Sequence, residues 1–205
     1  MTRSFYRRLL PIAFFIIASL LNVNTSAEST GSSPGGDFIL TDHKGQLFDL
    51  KDVRGKLVLI FFGYTFCPDI CPTELSSLAL ILNSLDHQAD KVVALFITVD
   101  PERDTQAKLQ QYVPFFSSRL VGLTGSVDEI NKVADAYHVQ RKIHEHEESD
   151  EYYLVDHSAN LYVVNGEGKL VQIVPYGLPV EHILQIVQEE LKHTYKLREK
   201  NQDEM

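Results

Sequence analysis

Two nearly unbroken apolar runs, at residues 57–62 and 92–99, stand out in the first half of the chain. Both are short and rich in β-branched and aromatic residues, which is typical of strands buried on both faces of a sheet. We therefore predict that they form the centre of a sheet. Shorter strand patterns lie towards either end, at residues 38–41 and 46–50 around a turn at 43–45, and at residues 161–164 and 170–174 around a hairpin turn at 165–168.

Apolar residues with the spacing of one helix face occupy four stretches between and after these strands. Strands that alternate with helices, followed by a hairpin and a closing helix, predict an α/β fold, a three-layer sandwich with a mixed central sheet. The four apolar faces consist of Leu75, Leu78, Ile81, Leu82 and Leu85; of Leu109, Tyr112 and Val113; of Val127, Ile130, Val133, Ala134 and Tyr137; and of Val180, Ile183, Ile186, Val187 and Leu191.

The chain begins with a targeting pattern. Three arginines precede an apolar stretch at residues 9–21 and a small-residue cleavage motif, so residues 1–27 are predicted to be a signal peptide or an N-terminal membrane anchor. The apolar stretch is shorter than the roughly 20 residues of a spanning helix, which favours a cleaved signal. We expect a bacterial periplasmic protein, with a flexible Ser/Gly/Pro-rich linker at 28–36, one domain at 37–197 and a polar tail at 198–205.

The charge of the chain limits its partners. The net charge is −9, and cleavage after residue 27 would bring it to −12, because that segment carries three arginines and no acidic residue. Nucleic-acid binding needs a basic surface, so we exclude it as a function. An acidic surface suits a protein partner with a basic docking face.

The two cysteines of the chain, Cys67 and Cys71, lie four residues apart where a buried strand gives way to a helix. At the start of a helix both thiols can point to the same side, and the positive helix end lowers thiol pKa. Such a pair suits a soft metal ion or redox chemistry. A local disulfide across so short a loop would contribute only about 2 kcal/mol of stability, so we favour a functional pair. Together with the order of elements, the pair resembles the thioredoxin-like fold.

A third candidate ligand is His157, which precedes the predicted strand at 161–164. It could face the cysteines if that strand lies beside the run at 57–62, or it could be a structural histidine bonded to Asp156. Spacing alone leaves both interpretations open. Cys67, Cys71 and His157 together would suit three-coordinate Cu(I), or Cu(II) with one added ligand such as water.

Several other polar residues lie in or near these motifs. Asp69 and Asp156 could orient the site, but we favour a capping or loop role for both. The cluster His144, Glu145, His146, Glu147, Glu148, Asp150 and Glu151 is interpreted as a solvated surface loop. Asp100 and Pro101 are predicted to be the N-cap and first residue of a helix.

Three strings carry a family resemblance: GYTFCPDICP at residues 63–72, TVDPERD at 98–104 and VDHS at 155–158. They resemble the Sco/SenC family of copper proteins that assist cytochrome c oxidase assembly. The resemblance implies a thioredoxin-like fold and a copper site formed by Cys67, Cys71 and His157. It also implies a periplasmic, often membrane-tethered metallochaperone. Such a protein delivers copper to the binuclear site of oxidase subunit II, or reduces the cysteines there; a periplasmic thiol reductant or another copper chaperone would be a further partner.

Two enzyme classes are the alternatives. Thiol-disulfide oxidoreductases usually have two residues between the cysteines and a cis-proline opposite them, whereas this chain has three and no proline between Pro114 and Pro175. A peroxiredoxin-like peroxidase would need threonine or serine three residues before its reactive cysteine, where Tyr64 and Pro68 stand. We rank the oxidoreductase above the peroxidase as an alternative. A copper chaperone could also use Cys67 and Cys71 as a redox-active disulfide pair in a secondary reductase role.

Overall fold

A computed structural model describes residues 34–144 and 153–203. The sequence-predicted signal or anchor at 1–27, most of the linker, and most of the acidic cluster that follows His144 lie outside the described residues. The strands are β1 (Ile39–Asp42), β2 (Leu47–Asp49), β3 (Leu57–Gly63), β4 (Val92–Thr98), β5 (Leu120–Thr124), β6 (Arg141–His144), β7 (Leu154–His157), β8 (Leu161–Val164) and β9 (Leu170–Val174). The α-helices are α1 (Ile70–Ser84), α2 (Gln106–Tyr112), α3 (Val127–Ala136) and α4 (Val180–Asp203), and short 3₁₀ helices lie at Leu50–Val53, Asp86–Lys91 and Val113–Phe115.

The main sheet has seven strands in the order β2-β1-β5-β4-β3-β8-β9. The three middle strands β5, β4 and β3 are parallel, and the strands on either side of them run antiparallel to their neighbours. Every residue of β3 is buried, as expected for a strand covered on both faces. The predicted central strands and the mixed character of the sheet are therefore confirmed.

Helices cover both faces of this sheet. Successive strand residues point to opposite faces; the ring of Phe62 lies 5.9 Å from that of Tyr137, at the end of α3. A Cβ at Gly63 would point to the other face, where Cys71 of α1 and Phe96 would be its nearest neighbours. Helix α1 packs against the closing helix α4. The arrangement is the predicted thioredoxin-like three-layer sandwich, with the cysteine pair at the carboxyl end of β3.

Three features of the structure were not predicted from the sequence pattern. The strands β6 and β7 form a separate two-stranded antiparallel sheet, in which Arg141 is opposite His157 and His144 is opposite Leu154. Strand β5 is marked by no long apolar run, because Gly122 occupies its middle; a Cβ there would lie 2.6 Å from Val113. Helix α4 continues to Asp203, beyond the predicted domain end at 197.

The predicted helix start at Asp100 is wrong. Residues 101–104 form a turn, and α2 begins afterwards with Thr105 as its N-cap. The carboxylate of Asp100 is instead occupied by the Arg103 guanidinium, at 2.5 Å, and by the hydroxyl of Tyr153, at 2.6 Å. An Asp-Pro pair favours a tight turn as well as a helix start, and here the tertiary contacts of Asp100 decide between them.

Among residues 34–144 and 153–203, no helix combines the length and the apolar character that a membrane-spanning segment needs.

Candidate metal centre

The two cysteines lie where β3 meets α1. Cys67 is in the connecting loop and is half-buried, and Cys71 is in the first turn of α1 and fully buried. The close approach of Cys71 to the strand depends on Gly63, because a Cβ at that position would lie 2.8 Å from the Cys71 Sγ and 2.9 Å from the ring of Phe96. Glycine at the end of β3 thus makes room for the buried sulfur. No disulfide joins the two cysteines.

His157 is the last residue of β7, and its Nε2 lies 3.5 Å from the Cys71 Sγ. The predicted condition for this approach is met, since β8 pairs with β3 and only residues 158–160 separate His157 from β8. The Nδ1 lies 3.1 Å from the carbonyl oxygen of Ser158. A carbonyl only accepts hydrogen bonds, so Nδ1 carries the proton and Nε2 presents its lone pair to the cysteines.

The site brings its three sequence-predicted members together. One sulfur from Cys67, one from Cys71 and one ring nitrogen from His157 all lie within 4.8 Å of one another. The imidazole is enclosed by the rings of Phe61 and Tyr64, whose centroids lie 6.2 and 5.8 Å from its own in edge-on arrangements. Packing on two sides fixes the ring plane, so the Nε2 is directed before any ion is bound.

Hydrogen bonds distribute the protons unequally between the two sulfurs. The Cys67 Sγ accepts hydrogen bonds from the Cys71 thiol and from backbone N–H groups, including that of Cys71 at 3.4 Å. These bonds hold the pKa of Cys67 far below its usual range. Donation to Cys67, and then burial, raise the pKa of Cys71. The metal-free site therefore has a thiolate on Cys67 and a thiol on Cys71, and an incoming cation displaces one proton.

A buried carboxylate fixes the loop that carries Cys67. Asp104 is completely buried and accepts hydrogen bonds from the Thr65 N–H at 2.9 Å, the Thr65 hydroxyl at 2.6 Å and the Thr98 hydroxyl at 2.8 Å. Burial raises the pKa of Asp104, while these hydrogen bonds lower it. The loop before Cys67 is thereby tied to the end of β4.

The remaining predicted residues lie outside the site. Asp69 is the residue before α1, with no side-chain cap hydrogen bond. Asp156 is exposed and binds His144 across the β6–β7 hairpin, with 2.5 Å between Nε2 and Oδ2. Strand alternation explains this, because Asp156 and His157 point to opposite sides of β7. Residues 145–151 of the acidic cluster lie outside the described part of the chain.

Sequence reasoning missed Gly63, Tyr64, Arg103 and Asp104 as contributors to the site. All four belong to the strings at 63–72 and 98–104 that carry the family resemblance. The string at 98–104 comes from the strand next to β3, and parallel neighbours end at the same edge of a sheet. That rule could have placed Arg103 and Asp104 beside the cysteines.

Comparison with known proteins identifies the family. The SCO1/SenC family model matches residues 26–192, and the chain belongs to this family. A mitochondrial SCO2 homolog from Bos taurus is 45% identical over 135 residues, which cover 65% of this chain and 50% of the bovine protein. A SCO2-like protein from Rickettsia felis is 38% identical over 138 residues, 67% of each chain. The chain thus aligns with about half of the bovine protein's length.

Solved structures agree with the fold. ScoI from Bradyrhizobium japonicum, solved with copper bound, has a TM-score of 0.71 at 40% identity, covering 78% of this chain and 100% of that one. Yeast Sco1, also solved with copper bound, has a TM-score of 0.72 at 37% identity, covering 78% of this chain and 89% of that one.

Proposed function

We propose that this protein is a copper chaperone that binds one copper ion through Cys67, Cys71 and His157 and serves cytochrome c oxidase assembly. The observation that carries the proposal is the convergence of two sulfurs and one imidazole nitrogen within 4.8 Å. These three donor atoms come from a loop, a helix and a strand, so they are brought together only by the tertiary fold.

The donor set fits copper better than the common alternatives. Two thiolates and a neutral imidazole are soft and borderline ligands, which suit Cu(I), and one more ligand would accommodate Cu(II). A structural zinc site would use four protein ligands, and Mg²⁺ or Ca²⁺ would require oxygen donors. The half-buried Cys67 leaves one side of the set open for an exchange partner.

Family membership supports the biological role. The relatives from Bradyrhizobium japonicum and yeast were both solved with copper bound. The Sco/SenC resemblance, with the family match over residues 26–192, supports a role in oxidase assembly. We further propose that the acceptor is the binuclear copper site of oxidase subunit II.

The proposed compartment is based on the residue pattern of positions 1–27. Residues 1–27 have the pattern of an export signal or membrane anchor, which would place the domain in the bacterial periplasm. Reduced thiols there need a dedicated electron source. A periplasmic thiol reductant, or another copper chaperone that loads the site, is therefore the second partner that we propose.

The same cysteines favour a secondary activity as a thiol-disulfide reductase. Cys67 is partly accessible and its pKa is lowered, whereas Cys71 is buried beside it. In this reaction the Cys67 thiolate attacks a disulfide of the acceptor and forms a mixed disulfide. Cys71 then displaces the acceptor sulfur, so that Cys67 and Cys71 become a disulfide while the acceptor gains two thiols.

A transfer experiment tests the proposal and separates the two activities. Copper-loaded protein is mixed with the reduced copper-site domain of subunit II, and copper in each protein is measured after separation. We expect copper to appear on the acceptor, and the double variant Cys67→Ala, Cys71→Ala to carry and deliver none. Failure of copper to move, together with rapid reduction of an oxidised acceptor, would make the reductase activity the primary function.

A further inference from the structure

The strand that carries His157 has little support from the main sheet. Its backbone pairs with β6 in a separate two-stranded sheet, and the seven-stranded order does not include it. Cys67 and Cys71, in contrast, are attached directly to β3 and α1. The distance between histidine and cysteines therefore depends on the short link from His157 to β8 at one end of β7, and on side chains that connect its other end to the rest of the domain.

Two such side chains bind the backbone at the start of β7. The hydroxyl of Tyr64 accepts a hydrogen bond from the Val155 N–H at 3.4 Å. The Nη1 of Arg103 donates to the carbonyl oxygen of Tyr153 at 2.9 Å. Tyr64 belongs to the loop that precedes Cys67, and Arg103 to the turn after β4, so both connect β7 to the cysteine end of the sheet.

Arg103 contacts three segments at once. Its Nε donates to Asp100, and its guanidinium lies 3.5 Å from the ring centroid of Tyr153 and 4.9 Å from that of Phe66. The hydroxyl of Tyr153 donates to the other oxygen of Asp100 at 2.6 Å, which closes a ring of contacts. Phe66 is the residue immediately before Cys67. One guanidinium therefore joins the Cys67 loop, the turn after β4 and the entry to β7.

The chemistry of this cluster favours a fixed geometry. The side chain of Arg103 is 13% exposed and that of Asp100 is 2% exposed. Removing both charges from water is costly, so a buried pair of this kind is weak evidence for stability and suits a role in specifying one arrangement. A planar guanidinium that stacks on a ring and donates in fixed directions transmits position more precisely than a flexible ammonium group.

We propose that Arg103 is a positioning residue that holds β7, and through it His157, within reach of the cysteine pair. Its effect on copper rests on the proposed function, whereas its effect on β7 does not. Loss of the guanidinium would release the Tyr153 carbonyl and the stacked Tyr153 ring. The histidine would then spend less time facing Cys71, while the main sheet would stay in place and the Cys67 loop would remain tied to Asp104 through Thr65.

A metal-free measurement tests the structural half of the proposal. Amide hydrogen exchange is compared between the full-length protein and its Arg103→Gln variant, with Arg119→Gln as the matched control. Arg119 also forms an ion pair, with Asp90 at 3.0 Å, but at an exposed surface site. We expect exchange in β6 and β7 to accelerate at least about tenfold in Arg103→Gln, because local opening is governed by local contacts, with β3 and the control unchanged. Unchanged protection of β7, or a uniform loss of protection across the domain, would overturn the proposal.

A double-variant cycle tests the copper half. Copper affinity is measured for the wild type, Arg103→Gln, His157→Ala and the combined variant. Because residues that orient a metal ligand typically change affinity by about 10–100-fold, we expect a loss of about tenfold from Arg103→Gln when His157 is present. The loss should be less than about twofold when His157 is already absent, since the effect passes through that ligand. Arg103→Lys should recover part of the affinity.

Equal losses in both backgrounds would show that Arg103 does not act through His157. If the wild type itself binds no copper, the proposed function fails, and the exchange experiment still decides whether Arg103 holds the hairpin.

Discussion

The Nε2 of His157 lies 3.5 Å from the Sγ of Cys71, although 86 positions separate the two residues in the chain. The contact depends on the antiparallel pairing of β8 with β3, which brings the end of β7 to the carboxyl end of β3. The Nδ1–H of the same ring is held by the Ser158 carbonyl. The nitrogen of the proposed ligand is thus directed at a buried sulfur by hydrogen bonding and packing within the protein itself.

Replacement of His157 tests the role of this nitrogen. Loss of a residue that merely orients a metal ligand typically lowers metal affinity by about 10–100-fold. Loss of the ligand itself should matter more, so we expect His157→Ala to lower copper affinity by at least about a hundredfold. Thermal unfolding should change little, since the ring is only half-buried. The control is His144→Ala on the adjacent strand, where an exposed imidazole binds Asp156. Equal copper affinity in wild type and His157→Ala would remove this residue from the ligand set.

The glycine beneath Cys71 should be intolerant of a side chain. A Cβ on Gly63 would be 2.8 Å from the Cys71 Sγ and 2.9 Å from Phe96, so Gly63→Ala must displace one of them. We expect a loss of about 1–3 kcal/mol in the free energy of unfolding, as for other overpacked cores, together with weaker copper binding. Denaturant titration and copper titration measure the two effects.

Gly125→Ala is the comparison variant, because a Cβ there would crowd Glu129 at 2.9 Å and Leu40 at 3.1 Å, away from the cysteines. A Gly63→Ala protein with wild-type stability and copper affinity would show that a methyl group fits between Gly63 and Cys71 without displacing the sulfur.

The unequal protonation of the sulfurs predicts the pH dependence of alkylation. Hydrogen bonds lower the pKa of Cys67, so its thiolate should persist well below neutral pH in the reduced, metal-free protein. An ordinary cysteine has a pKa of about 8.5, and its alkylation rate falls about tenfold per pH unit below that value. Here the rate with iodoacetamide should be nearly constant from about pH 5 to 8.

Mass spectrometry should find a single modified thiol, on Cys67, because Cys71 is buried and its pKa is raised. A rate that falls tenfold per pH unit, or equal modification of both cysteines, would contradict this assignment of protons.

The carboxylate of Asp104 should support both the fold and the site. Asp104→Asn replaces an acceptor of three hydrogen bonds by an amide with one oxygen, which leaves at least one buried donor without a partner. We expect unfolding to require about 1–3 kcal/mol less, and copper affinity to fall because the Cys67 loop is loosened. Asp128→Asn, at an exposed position in the first turn of α3, serves as control. If Asp104→Asn unfolds at the same denaturant concentration as this control, the tie to Thr65 is not important.

The parts of this structure that follow from local pattern were predictable from the sequence. Residues 57–62 are apolar without interruption and form β3, and the cysteine pair is identified by its own spacing. His157 could be proposed from the residues only under a condition on strand order, because its partners are distant in sequence. Its placement required either the family resemblance or the fold.

Strand β6 and the turn after β4 could not be predicted from the local sequence pattern. Strand β6 consists of Arg141, Lys142, Ile143 and His144, whose charges obscure the strand pattern, and it exists because β7 pairs with it. The helix predicted at Asp100 failed for a similar reason. Its carboxylate is engaged by Arg103 and by Tyr153, more than fifty residues away. Contacts of this kind are tertiary, and composition and periodicity do not encode them.

X-ray absorption spectroscopy on the reduced protein loaded with one equivalent of Cu(I), alongside His157→Ala, would identify the copper ligands directly. Copper–sulfur and copper–nitrogen distances differ enough for the ligands to be counted by type. We expect two sulfur ligands and one imidazole nitrogen in the wild type, and loss of the imidazole signal in the variant. A wild-type copper shell of sulfur alone, unchanged in His157→Ala, would contradict a site built from Cys67, Cys71 and His157.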